Sequence, residues 1–305
     1  MTTQTGIFSL GTTDHCYLEF DVRDGVEPRS CIAAAADLVS ALSTTSGNDL
    51  VVGVRPSLWR SIAAADDVPA GAEDWSEDLV GPDGFTMPAT QHDIWLWIAG
   101  GSRTAVFDSG RAAIDAMAPS ATLAKETTGW VYRADRDLTG FIDGTENPTA
   151  LEAPSVVATP AGSAGAGGTV VLHQLWVHDT PRWDSESTRT QERAMGRTKA
   201  DSIELPEDEM PADAHVARTV IEVDGEELDI FRRNVAYGGV TDHGTVFVGF
   251  SFDQWRMAEM LRRMAGVGDG IRCALTRYLT PLTGAYYVVA SVEALAGFAH
   301  PESED

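Results

Sequence analysis

Apolar and polar residues alternate over residues 15–22, the period of a strand with one buried face, and an Ala-rich stretch at 29–42 then repeats its apolar positions at helical spacing. Residues 49–54 form a short β-branched run. After an acidic Gly/Pro loop around 73–88 comes a Trp- and Ile-rich segment at 93–99, then a helical 102–117 and a strand ending near Tyr132. The first half therefore reads strand, helix, strand, strand, helix, strand.

A similar order returns in the second half as a repeat of topology rather than of sequence. Residues 168–178 read as a strand, and a long polar insertion at 179–213 contains a helical segment with Arg193, Met195 and Arg197. Strands are predicted at 216–222 and 228–235, flanking the hairpin turn Val223-Asp224-Gly225-Glu226. A strand at 245–250, a helix at 252–264 carrying Trp255, Met260 and Leu261, and a closing strand at 285–290 complete the chain. This order predicts an α+β fold of two units, each an antiparallel sheet covered by helices. The breaker-rich stretch from Gly140 to Gly168, with Pro148, Pro154 and Pro160, sets the expected boundaries: a first domain at 1–139, a linker at 140–167 and a second domain at 168–305.

Composition narrows the partners. The 305 residues are 43% hydrophobic and 22% charged, the balance of a folded chain able to bury a sizeable core. No run approaches the roughly 18 apolar residues of a membrane span. Residues 1–10 carry neither a basic n-region nor an apolar h-region, so a cytoplasmic protein with no membrane partner is expected. The formal net charge is −24 and Lys125 and Lys199 are the only lysines, a balance that repels a phosphate backbone and argues against nucleic acid. Cys16, Cys31 and Cys273 are far apart and form no CxxC pair, which argues against a disulfide framework or a thiolate zinc site.

The sharpest local feature is Gly140-Phe141-Ile142-Asp143-Gly144-Thr145-Glu146-Asn147-Pro148, an acid presented between glycines that let backbone approach a ligand closely. A tight turn in which Asp143 and Asn147 satisfy local backbone groups accounts for the same residues. His215, just before the predicted strand at 216–222, offers an imidazole on a rigid margin; a plain surface histidine is the alternative, and His178, beside Asp179, is the runner-up ligand. His15, His92, His173, His243 and His300 show no HExxH-type spacing. Arg232-Arg233-Asn234 ends the second arm of the predicted hairpin, and the separation 232 − 215 = 17 suits a two-stranded ribbon. Strand alternation puts Arg232 and Asn234 on one face and Arg233 on the other; a surface ion pair of Arg232 with Glu226 or Asp229 is the competing reading. No GxSxG, GxGxxG or GxxxxGK[ST] occurs, so neither a serine nucleophile elbow nor nucleotide binding has support.

Taken together, the segment 140–148, Val177-His178-Asp179, Gly196-Arg197-Thr198-Lys199, His215-Val216-Ala217-Arg218, Arg232-Arg233-Asn234 and the run 280–287 resemble the dye-decolourising haem peroxidases, specifically type B. The resemblance implies two ferredoxin-like units with haem b in the C-terminal one, and the absence of CxxCH makes that haem noncovalent. It implies His215 as the axial ligand to the iron, Asp143 as the distal acid, Arg232 as its cationic partner and Asn234 as a distal hydrogen-bonding residue. Phe247 would lie over the haem, with Ile142, Gly144, Thr145 and Glu146 bordering it.

The implied activity is reduction of hydrogen peroxide with one-electron oxidation of dyes, phenols or Mn(II), Asp143 relaying a proton between peroxide oxygens and Arg232 stabilising the charge that develops. Electrons from bulky reductants would enter through a surface Trp or Tyr such as Trp176, Trp255, Tyr278 or Tyr286. Relatives self-associate, so a homo-oligomer is expected. The ending at 299–305 shows no extension of the kind that packages relatives in encapsulin shells. One departure stands out: Cys273 occupies a segment where the family carries an Asp, which predicts a His215 of weaker anionic character. A haem carrier or an iron-releasing, deferrochelatase-like protein is the rival function, although a carrier has no need of Asp143 with Arg232.

Overall fold

The computed structural model describes residues 1–41, 47–133 and 136–299; Leu42, His300 and the tail at 301–305 lie outside the described residues. The first half supplies strands β1 (Asp14–Val22), β2 (Asn48–Val54), β3 (Ile94–Gly100) and β4 (Ala121–Trp130), with helices α1 (Pro28–Ala41) between β1 and β2 and α2 (Arg103–Met117) between β3 and β4. The second half supplies β5 (Thr169–His178), β6 (Phe231–Arg232), β7 (Val235–Gly238), β8 (His243–Ser251), β9 (Leu279–Pro281) and β10 (Ala285–Val289). Its helices include α3 (Thr188–Met195), α4 (His215–Thr219) and α5 (Gln254–Met264).

The α+β elements build a mixed fold with an antiparallel sheet, but the two halves do not keep separate sheets. One ten-stranded sheet runs β6-β8-β7-β4-β1-β3-β2-β10-β5-β9, and β8 also pairs with β5, so the sheet closes on itself. The seams between the halves are short: Ala236 and Tyr237 of β7 pair with Trp130 and Gly129 of β4, and Val288 of β10 pairs with Val54 of β2. Closure leaves only the short β6 and β9 as edges, where separate sheets would leave long strands open. It also explains why β3, a continuous apolar run, is buried at all seven positions: Trp95 and Trp97 point into the barrel while Leu96 and Ile98 point out against the helices.

In the first half the helices lie directly on the outer face. Ser102 caps α2 by accepting from the Ala105 N–H, and the helix presents Val106, Gly110, Ala113 and Met117 to the sheet. A Cβ at Gly110 would stand 3.4 Å from Cys16 Sγ, so this small face lets helix and strand come close. On α1, Cys31, Ile32, Ala35 and Ala36 join the core cluster at helical spacing.

The predicted strand at 216–222 is instead α4, a short helix beginning at His215. Val216 and Thr219 favour a strand by propensity, but tertiary bonds overrule them. The Arg263 guanidinium of α5 donates to the carbonyls of Ala217 and Val220, capping the helix's C-terminal end, and Arg218 is tied to Asp269 at 2.7 Å and to the Arg263 carbonyl. What remains of the predicted hairpin is a two-residue pairing of Glu222–Val223 with Glu226–Glu227 around the turn at Asp224 and Gly225. Arg232 therefore sits in β6 paired with β8, not opposite His215 on a ribbon.

Candidate active site

The helices of the second half stand off from the sheet. Between the outer face of β5 and β8 on one side and α4 and α5 on the other lies a cavity of about 1480 Å³ including its open mouth. Leu172, Gln174, Phe247, Met257, Met260 and Leu261 line much of it. The structure brings all nine residues singled out from the sequence to this wall: Ile142, Asp143, Gly144, Thr145, Glu146, His215, Arg232, Asn234 and Phe247.

The Gly/Asp loop is held from several sides. Asp143 is followed by Gly144 at φ +77°, a left-handed conformation that turns the chain and that a Cβ would strain. Asn147 then clamps the loop to β6: its amide donates to the Arg232 carbonyl at 2.8 Å and its oxygen accepts from the Arg232 N–H at 2.9 Å. The alternative of a locally satisfied turn fails for Asn147, whose partner is 85 residues away. Glu146 is anchored to Arg197 at 2.6 Å, and Arg197 also holds Glu204 at 3.0 Å.

Between β6 and β7 the strand ladder is interrupted because the Asn234 side chain takes over one of its bonds. Its oxygen accepts from the Val248 N–H at 3.1 Å, which aims its amide nitrogen at Asp143 Oδ1, 3.4 Å away. Arg233 turns the other way, donating to the carbonyls of Ile7 and Ser9. Arg232 Nε is buried with no hydrogen-bond partner, and so is Gln174 Nε2 on the same cavity wall. Two unsatisfied donors in a buried cavity are costly unless a ligand completes them.

His215 opens α4. Its Nδ1 lies 3.6 Å from Cys273 Sγ, and its Nε2 has no protein hydrogen-bond partner among the described residues. Burial, and then the charges of Arg232 and Arg197, bring its pKa down to about 4, so the imidazole is neutral at physiological pH and keeps a lone pair for a metal. Burial pushes the Cys273 thiol up to about 11, so it stays a neutral thiol. The runner-up, His178, does not line the cavity; it ends β5 and lies 3.0 Å from Thr245 Oγ1.

Two contributors escaped the sequence reading. Asp137, whose carboxyl accepts from Thr139, has its pKa pushed up to about 7 by burial and by the neighbouring Asp143 charge, yet no motif marks it. Arg197 stands out in the sequence only as part of a polar insertion and a family motif; a long Arg between acidic segments is the available signal. Of the aromatic residues expected at the surface, Trp176, Tyr278 and Tyr286 are buried, and only Trp255 is exposed.

The described residues contain no group of three or more His, Cys, Asp or Glu able to hold a metal ion by themselves, and no helix long and apolar enough to cross a membrane. A family model described as Dyp-type peroxidase, C-terminal, matches residues 134–294. The chain is 33% identical over 297 residues to a dye-decolorizing peroxidase of Mycolicibacterium paratuberculosis, covering 92% of this chain and 81% of the relative. It is 33% identical over 282 residues to one of Mycobacterium tuberculosis, covering 85% and 82%. Among solved structures, DypB of Rhodococcus jostii RHA1 matches with a TM-score of 0.88 at 30% identity over 97% of each chain. Variants of DypB have been solved with haem and with manganese.

Proposed function

Because the chain belongs to the dye-decolourising peroxidase family, we propose that its large cavity binds one haem b noncovalently, with His215 Nε2 as the ligand to iron and Asp143, Arg232 and Asn234 handling hydrogen peroxide. The observation that carries this reading is the donor set: a neutral imidazole with one free ring nitrogen shares an apolar cavity with a carboxylate, an amide and an unpartnered guanidinium nitrogen. Apolar walls suit a porphyrin, and the orphaned donors of Arg232 and Gln174 suit anionic or oxygen acceptors.

When bound, haem supplies the iron at which peroxide is reduced and the oxidising power then used on a second substrate. The chain's part is positional and protonic. Asn234 fixes Asp143 through Oδ1, leaving Oδ2 to take a proton from the inner peroxide oxygen and return it to the outer one. Arg232 stabilises the negative charge that develops on the departing oxygen. An acid and a guanidinium on the wall of one cavity favour an enzyme over a carrier.

Phe247, Ile142, Gly144, Thr145 and Glu146 border the cofactor in this reading. Apart from Asp137 and the loop residues from Phe141 to Glu146, the cavity-lining residues fall between Leu172 and Leu279, which supports the second of two ferredoxin-like units, divided at 1–139, 140–167 and 168–305, as the haem-binding one. Each half orders its strands alike, β4-β1-β3-β2 and β7-β8-β5-β10, which supports the ferredoxin-like assignment. Dyes, phenols and Mn(II) are the reductants, donating one electron at a time; exposed Trp255 is the entry point for bulky ones, and Glu146, Glu227 and Asp229 make the cavity wall acidic, which suits a cation. Three free, buried cysteines suit a reducing, cytoplasmic setting, and self-association belongs to the same proposal.

Absorption spectroscopy of the haem-supplemented protein tests the reading. A Soret band is expected in the wild type and not in His215→Ala. Asp143→Ala and Arg232→Ala should bind haem yet react sluggishly with peroxide. Haem binding that is indifferent to His215, or peroxide reactivity that is indifferent to both distal residues, would sink it.

A further inference from the structure

The barrel interior, on the opposite side of β5 from the cavity, holds a second cluster that peroxide handling does not use. On β5 the outward residues Leu172, Gln174 and Trp176 border the cavity, while inward His173 joins a packed group of Tyr17, Trp95, Trp97 and Tyr287. Ring centroids form a continuous path: His15 to Trp97 at 5.7 Å, Trp97 to Trp95 at 6.2 Å, and Trp95 to Tyr287 at 6.1 Å. Tyr17 stacks on Trp97 at 6.2 Å and on His173 at 5.4 Å.

The two ends of this path differ in charge. At the first, Arg233 sits over Trp97 at 5.1 Å, and His15 borders a second cavity that shares Asp143, Arg232 and Asn234 with the candidate haem cavity. At the other, the wholly buried Tyr287 donates its hydroxyl to Glu19 Oε1 at 2.7 Å, and the same oxygen lies 3.6 Å from His173 Nδ1. A carboxylate inside a barrel is expensive, and an apolar core of equal volume would avoid the cost. Burial alone would raise the Glu19 pKa, but His173, the Tyr287 hydroxyl and His92 together lower it, so the carboxylate stays ionised. Burial and Glu19 push the Tyr287 phenol well above its ordinary range, so it carries its proton at working pH.

We infer that Tyr287, with Glu19 as its proton acceptor, is a redox site inside the barrel: a reversible one-electron store that draws oxidising equivalents away from the haem site through Trp97 and Trp95 when no reductant is present. The inference rests on the haem reading above. The geometry sets the direction, because a cation at Arg233 disfavours a positive hole on Trp97 while the Glu19 carboxylate favours one at the far end. In the step, Tyr287 gives one electron to the haem site, which peroxide has oxidised and which is thereby reduced by one. The phenolic O–H bond breaks, its proton forms a carboxyl O–H on Glu19, and a neutral tyrosyl radical remains beside a neutral acid. Hydrogen-bond contact is what such a proton transfer requires. An electron from a phenolic reductant, with return of the proton from Glu19, restores the resting pair.

The test uses the haem-loaded protein frozen after one equivalent of hydrogen peroxide without reductant and read by electron paramagnetic resonance. A tyrosyl signal is expected that narrows in protein made with ring-deuterated tyrosine, is lost in Tyr287→Phe and is diminished in Glu19→Gln. A parallel arm oxidises the apoprotein with photogenerated tris(bipyridine)ruthenium(III), where the same loss in Tyr287→Phe is expected. Failure of haem to bind would overturn the haem reading and leave the apoprotein arm to report on Tyr287. If haem binds and consumes peroxide but the signal is unchanged in Tyr287→Phe, the store is refuted and the haem reading stands. Should Tyr287→Phe not fold, an undiminished tyrosyl signal in Glu19→Gln refutes it equally.

Discussion

The two halves of the molecule order their strands alike and use their outer faces in opposite ways. In the first half Ala35, Ala36, Gly110 and Ala113 let α1 and α2 settle onto Cys16, Leu18 and Leu96, and the space is filled. In the second half α4 and α5 present His215, Val216, Met257, Met260 and Leu261 across an open space to Leu172, Gln174 and Phe247. Small residues at a helix–sheet contact close it; long flexible ones, on helices tied to each other by Arg263 and Arg218, line a space left open. The difference teaches that a site can be made by withholding packing from one copy of a shared layout, with chemistry then placed on the exposed walls.

The sharpest way to break this comparison is to truncate one side chain on each side. Leu18→Ala, in the filled half, is expected to cost about 2–5 kcal/mol in urea unfolding, because the cavity it leaves cannot collapse. Met260→Ala, already beside empty space, should cost the apoprotein less than about 1.5 kcal/mol, since little packing is lost. Equal losses would mean that the second half is as tightly packed as the first.

A smaller effect tests how the hollow is walled. Asn147→Ala removes both bonds to Arg232 and leaves a part-buried N–H unpaired, for a loss of about 1–3 kcal/mol. The same variant should loosen the loop that carries Asp143, raising hydrogen exchange at residues 143–147. Loss of stability without faster exchange would show that the loop is held by Glu146 and Arg197 instead.

What the sequence made legible follows the range of the forces involved. The Gly140 to Pro148 loop, Arg232 and Asn234 were readable because local rules, glycine conformation and strand alternation, already limit them. His215 was readable as a residue but not as part of a helix, since α4 depends on Arg263, far along the chain. Sheet closure was hidden because its seams rest on Ala236, Tyr237 and Val288, which carry no signature. Asp137 was hidden because its environment comes from burial and from Asp143, neither of which a local pattern encodes.

Asp137 offers a test by pH. Its folded pKa of about 7 lies above the ordinary carboxylate value, so between these values the folded state binds more protons than the unfolded one, and this group's contribution to stability falls as pH rises from about 4 to 7. Asp137→Asn should therefore gain on the wild type over that window, by about 1 kcal/mol after solvent screening, and then hold its advantage above pH 7. A melting-temperature difference that does not change with pH would show that the carboxyl is solvated in the loop.

The smallest expected effect concerns how the hollow half tunes its own ligand. In the proposed haem-bound form, with Nε2 on iron, His215 Nδ1 would carry the proton and donate it to Cys273 Sγ, a neutral thiol and a weak acceptor. A carboxylate there would pull that proton harder, make the imidazole more anionic and favour the higher iron charge. Cys273→Asp should thus lower the ferric/ferrous potential of the haem-loaded protein by on the order of 30 mV, about 0.7 kcal/mol for one electron. Spectroelectrochemistry reads it directly, with Cys273→Ser as the control expected to move little. An unmoved potential in Cys273→Asp would mean that His215 is set by the burial of α4 rather than by its ring partner.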